Sequence, residues 1–171
     1  MPRLSTAALE FQAQLDALAD DLRRHIETDC QAFPLDAAAT STRRARVIAG
    51  ADGFKFFCQT YFPHYCAAQP GILHDFLFVA LPALVDDPRG RKLALAAPRG
   101  EAKSTIATQL FALWCVVRAC KPYIVIVMDA LDQALPMLEA IKAELDSNPR
   151  LQQDFPEACG QGRVWQQRVI L

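Results

Sequence analysis

Between Leu93 and Trp114 the chain reads LALAAPRGEAKSTIATQLFALW, and the spacing of its apolar residues changes in mid-stretch. KLALAA, residues 92–97, is a continuous apolar run set between the turn signals DDPRGR and PRG. That is the pattern of a short strand buried on both faces. From Lys103 onward Ile106, Leu110, Leu113, Trp114 and Val117 recur along one face of a helix. A buried strand feeding an amphipathic helix through a short loop restricts the chain to few layer architectures.

The rest of the C-terminal half extends this alternation. YIVIVM, residues 123–128, is β-branched and apolar, which predicts a second buried strand. Leu131, Leu135, Leu138, Ile141 and Leu145 predict a helix that closes near Asn148-Pro149, with Asp129 as its N-cap. RVIL, residues 168–171, predicts the start of a third strand. Strand, helix, strand, helix, strand implies an α/β fold with a parallel sheet and right-handed crossovers.

Ahead of this lies a helical section. Phe11, Leu15, Leu18, Leu22 and Ile26 predict an amphipathic helix from about Ser5, its cap, to Asp29. AAATSTRRARVIAGAD predicts a second helix, whose Arg43, Arg44 and Arg46 form either a solvated face or a small phosphate-contacting patch. GFKFFCQTYFPHYC predicts a third, broken at Pro63. Leu73, Leu77, Ala80, Leu81 and Leu84 mark a fourth, kinked at Pro82. The chain therefore divides into a helical section, residues 1–88, and an α/β core, residues 89–171.

At 171 residues and 52% apolar composition the chain can bury a real core. No apolar run is long enough to span a bilayer, and acidic residues interrupt MPRLSTAALEFQAQLDALADD where a signal peptide needs an apolar centre. A cytoplasmic location is expected. The six cysteines contain no CxxC pair, so they are expected to be buried free thiols rather than a disulfide framework. CQTYFPHYC with His74 offers cysteines and histidines in one region, but its aromatics argue for core packing over a metal centre.

A net charge of −1 makes the chain as a whole no obvious polyanion binder. The basic residues are nevertheless concentrated: Arg89, Arg91, Lys92, Arg99, Lys103, Arg118 and Lys121 face a single acid, Glu101, between positions 89 and 121. Such a segment suits an anionic ligand, as would an ordinary solvated face.

Its centre approximates the phosphate-binding pattern GxxxxGK[ST]. With Lys103 and Ser104 on the final pair, Ala97 and Ala102 take the glycine positions. A phosphate site of this kind needs a strand that delivers the loop, which KLALAA supplies. It also needs inward-pointing backbone N–H groups at a helix start, a lysine for the β- and γ-phosphates, and a hydroxyl for Mg²⁺. Lys103 and Ser104 supply the last two. Gly100 permits a positive φ, and Ala102 is acceptable where φ is negative. Pro98 has no N–H, so the cradle falls to Gly100, Glu101, Ala102, Lys103 and Ser104.

YFPHY, LHDFLF, LALAAPRGEAKST, YIVIVMDALDQA and IKAELDSNPRLQQDFP, in this order, resemble the N-terminal ATPase region of bacteriophage terminase large subunits from about Phe54 onward. The resemblance implies a P-loop NTPase of the ASCE type, a parallel sheet with flanking helices, left incomplete where the chain stops at Leu171. It implies ATP and Mg²⁺ as cofactors, Lys103 on the β/γ-phosphates, Ser104 on the metal and Arg99 as a γ-phosphate sensor. Pro98 through Thr105 would form the nucleotide loop. His74 would stand where such motors read adenine, or be a core or helix-surface histidine; Tyr61, Phe62 and Tyr65 could stack on the base or pack the core. Double-stranded DNA, the small terminase subunit and the portal would be partners, in a homo-oligomeric ring.

In that family the carboxylates for Mg²⁺ and the attacking water, and the nuclease, lie beyond the strand that RVIL begins. Nucleotide binding with poor hydrolysis and no DNA cleavage is therefore expected of these residues. The competing readings are a helicase-like or kinase P-loop enzyme, and a non-catalytic remnant used for interaction.

Overall fold

A computed structural model describes residues 6–159 of the chain. Its order is α1 (Thr6–Asp29), α2 (Ala37–Ala49), α3 (Gly53–Tyr61), α4 (Ile72–Asp86), a π-wound turn (Thr105–Leu110) running straight into α5 (Phe111–Val117), α6 (Leu131–Ser147) and α7 (Pro149–Asp154). The first six helices fall where the apolar periodicity places them, whereas α7 follows the point at which the last expected helix closes and was not expected. Among the described residues no helix is long and apolar enough to cross a membrane.

The expected α/β fold is overturned: no strand occurs among the described residues. KLALAA and YIVIVM are both non-helical, but neither joins a ladder. A parallel strand must be covered on both faces, and these are not. Leu93 is 39% exposed, Tyr123 72%, Val125 61% and Val127 85%. Only alternate residues turn inward: Leu95 and Ile126 are half-buried and pack against the core. Each run is apolar enough for burial, but no neighbouring strand pairs with it among the described residues. RVIL lies outside the described residues, as does the cap assigned to Ser5.

The core draws on residues from both sides of position 88. Phe54 sits between Phe78, Phe111 and Trp114, with ring centroids 5.8, 5.4 and 5.3 Å away. Trp114 donates its indole N–H to the Val47 carbonyl at 3.1 Å, which ties α5 to α2. Tyr61 packs against Phe57 and Phe155. α1 lies along α6, where Ile26 and Cys30 bury against Ala143. Tyr61 and Phe62 are core residues, while Tyr65 is half-buried at the core's edge.

Local chemistry fixes the joints. Asp36 caps α2, accepting from the Ala38 and Ala39 amides at 2.9 and 3.2 Å. Gly53 opens α3 against α2: a Cβ there would lie 2.7 Å from the Val47 carbonyl oxygen, so only glycine allows this approach. Asn148 both ends α6 and caps α7, accepting from the amides of Arg150 and Leu151, with Pro149 at the first helical position. Asp129 is not the cap of α6; Ala130 holds that position, without a side-chain hydrogen bond.

Each arginine of α2 meets an acid; Arg43 and Arg44 are half-buried, whereas Arg46 is exposed. Arg43 pairs with the fully buried Asp154 at 2.6 Å, Arg44 with Glu157 at 2.6 Å, and Arg46 with Asp52. Their guanidinium groups also stack on Phe33, Phe155 and Phe56 respectively. The sequence spacing displayed the charges but not the acids that meet them, which lie far along the chain in two of the three cases.

Candidate functional site

The loop from Pro98 to Ala102 turns the chain into the helical run that starts at Lys103. Two of its residues are left-handed: Gly100 at φ +87° and Ala102 at φ +47°. The negative φ on which an alanine at 102 was expected to be acceptable is not met: Ala102 is left-handed, on a position where the phosphate-binding pattern has glycine. A left-handed residue followed directly by right-handed helical ones is the backbone form of an anion-binding nest. The helix that follows adds its positive end.

Lys103 is half-buried, and its ammonium donates to the Pro98 carbonyl at 2.9 Å. That contact bends the lysine back over the loop and holds it beside the helix start. Arg99, Glu101 and Ser104 are exposed, and their side chains take no partner among the described residues. Thr105 is half-buried and opens the π-wound turn. π-turns are uncommon and concentrate at functional sites, because they swing side chains out of ordinary helical register. Here the turn buries Gln109, whose amide donates to the Tyr65 hydroxyl at 2.9 Å.

His74 is the strap that positions the loop. Its Nδ1 accepts from the Gly71 amide at 3.0 Å, which makes Nε2 the protonated nitrogen, and Nε2 donates to the Glu101 carbonyl at 3.0 Å. Both ring nitrogens are thus spent on the protein, leaving the ring face for any ligand. Beside it lies a pocket of about 230 Å³ bounded by Gln59, Tyr65, Gln69, His74, Phe78 and Ile106, with Gly100 to Ala102 as its rim. Burial pushes the Tyr65 hydroxyl up to about 12, and the nearby Glu144 charge adds to this, so it stays neutral at physiological pH.

A larger groove of about 420 Å³ lies along the YIVIVM segment, between Val85, Phe111 and Cys115. It is walled almost wholly by apolar side chains. The smaller pocket is the chemically richer one, because it joins amide and hydroxyl groups to the basic loop.

Two buried polar clusters escaped the reading of the sequence. Asp154 accepts from Arg43, from the Thr40 hydroxyl at 3.1 Å and from the Tyr61 hydroxyl at 2.7 Å. The fully buried Glu144 meets His64 Nε2 at 2.7 Å and the Asn148 amide at 2.8 Å. Both serve packing between distant helices. Acids at 144 and 154 inside otherwise apolar helical faces were the only available signal.

Compared with known protein families, curated proteins and solved structures, the chain matches none of them.

Proposed function

We propose that Pro98–Thr105 binds the phosphate groups of ATP with Mg²⁺, and that the chain is the ATP-binding part of a motor that moves double-stranded DNA into a viral capsid. The observation that carries the nucleotide reading is the backbone of the loop. Left-handed residues at 100 and 102 lead into a helix start with Lys103 and Ser104 in its first turn. The left-handed alanine occupies the place at which a phosphate cradle uses glycine, and unusual backbone of this kind concentrates at functional sites.

The strand expected to deliver the loop is absent, since KLALAA joins no ladder among the described residues, but the side chains of the loop suit the ligand. Lys103 would hold the β- and γ-phosphates, the exposed Ser104 hydroxyl the metal, and Arg99 the terminal phosphate. Mg²⁺ would neutralise phosphate charge. His74 anchors Glu101, and with it the rim of the pocket that would take the purine beside Tyr65 and Phe78. The motor reading, with the small terminase subunit and portal as partners in a ring, rests on the order of the terminase-like blocks.

Titration of a fluorescent ATP analogue with Mg²⁺ tests this. Lys103→Ala is expected to weaken binding at least about tenfold, since a charge-assisted phosphate contact contributes over 1 kcal/mol. Equal binding by both proteins, or binding by neither, would reject the assignment. Lys103 would then merely close the loop on Pro98, as an interaction module would allow.

A further inference from the structure

The C-terminus of α5 carries a second chemical feature, independent of the nucleotide reading. Arg118 ends the helix, Ala119 turns left-handed at φ +50°, and two backbone bonds fold the chain back. The Ala119 amide donates to the Val116 carbonyl at 3.0 Å and the Cys120 amide to the Cys115 carbonyl at 3.3 Å. This pair of bonds is a Schellman motif, which by construction brings the residue after the left-handed one against the third-last helical residue. Here both of those residues are cysteine.

Several contacts show how near the thiols are. Cys120 Sγ donates to the Cys115 carbonyl oxygen at 3.6 Å, which lays its thiol over the residue that carries the other one. The six-to-one backbone bond folds Cys120 back beside Cys115, and a disulfide needs such closeness, with Cα atoms ~4.4–6.8 Å apart. Cys120 is half-buried and the more accessible thiol; Cys115 is buried but forms part of the wall of the apolar groove. Burial, followed by the neighbouring Cys120, holds the Cys115 thiol up at about 12, so it is inert until its partner has reacted.

We propose that Cys115 and Cys120 are a reversible dithiol–disulfide site, oxidised within one chain by peroxides. Cys120 sulfur attacks a peroxide oxygen, the O–O bond breaks, and a sulfenic acid and one water form from hydrogen peroxide. The Cys115 sulfur then bonds to the Cys120 sulfur, the S–O bond breaks, and the hydroxyl leaves with the Cys115 proton as a second water. Two thiols lose two electrons and one peroxide gains them. The other near pair, Cys58 and Cys66, is less suited because Cys58 is completely enclosed in the core.

Arg118 makes the test direct, since trypsin cuts after it and leaves the two cysteines on separate peptides. The full chain, treated with one equivalent of hydrogen peroxide under native conditions, is alkylated, digested and analysed by mass spectrometry. The expected product joins the Cys115 and Cys120 peptides, loses two hydrogens and two of the six alkylatable thiols, and reverts with dithiothreitol. In urea the preference for this pair should disappear. Recovery of both peptides alkylated and unlinked, a first disulfide at Cys58–Cys66, or a Cys120 link between two chains would each overturn the proposal. Cys120→Ser, which changes a half-buried thiol, should lose the link; the wild-type peptide map decides the question even if that variant misfolds.

Discussion

Ala102 concentrates the tension between folding and function at the residue scale. An L-residue with a side chain held left-handed costs about 1–2 kcal/mol, whereas glycine adopts that backbone freely. Glycine also loses more entropy on folding, about 0.5–1 kcal/mol, so the two effects partly cancel. Relief of the left-handed conformation outweighs the entropy loss. Ala102→Gly is expected to raise stability in urea by about 0.5–1 kcal/mol. It should leave nucleotide affinity unchanged or tighter, because it restores the residue a phosphate cradle uses. A loss of stability of similar size would show that the loop is not left-handed at this position. The lysine, the serine and the basic surroundings of this site were all legible in the sequence; the φ at 102 was not, because alanine carries no signal for it.

Helices were the legible elements, and strands were not, for a physical reason. A helix satisfies its own backbone, so apolar residues at positions such as 106, 110, 113 and 117 predict both its existence and its buried face. A strand exists only with a neighbour, and apolar character in KLALAA and YIVIVM said nothing about whether a neighbour was available. Element ends depend on side chains that reach other elements, as Asn148 illustrates. Its oxygen caps α7, while its amide donates to the Tyr61 carbonyl at 2.9 Å and to Glu144. Asn148→Ala should therefore cost about 2–4 kcal/mol, from the lost cap and from two buried acceptors left short of a donor. Asp36→Ala, which removes an exposed cap and nothing else, should cost only about 1 kcal/mol in the same urea titration. Equal losses would mean that Asn148 acts as a cap alone.

For the whole molecule, polar groups buried between helices make stability depend on pH in two opposite senses. Burial alone would raise the Asp154 pKa, but the hydrogen bonds from Arg43 and Tyr61 outweigh it and hold the carboxyl below its ordinary value. A depressed pKa contributes stability above the unfolded value, near 4, that is lost as pH falls through the folded one. His64 has the opposite sign. Burial pushes its imidazole down, yet the neighbouring Cys30 thiol and the hydrogen bond and charge of the Glu144 carboxylate raise it to about 9. A raised pKa contributes stability that is complete below the unfolded value, 6.5, and disappears as pH rises through about 9. The chain should thus be most stable between about pH 4 and 6.5 and lose on the order of 2–3 kcal/mol between pH 6.5 and 9. His64→Gln removes the titrating group while retaining an amide that can donate to Glu144. The variant should be less stable at pH 6, where the wild-type ion pair is intact, and its urea midpoint should change little from pH 6.5 to 9. Parallel slopes for the two proteins across that window would place the alkaline loss elsewhere and clear His64 of any part in it.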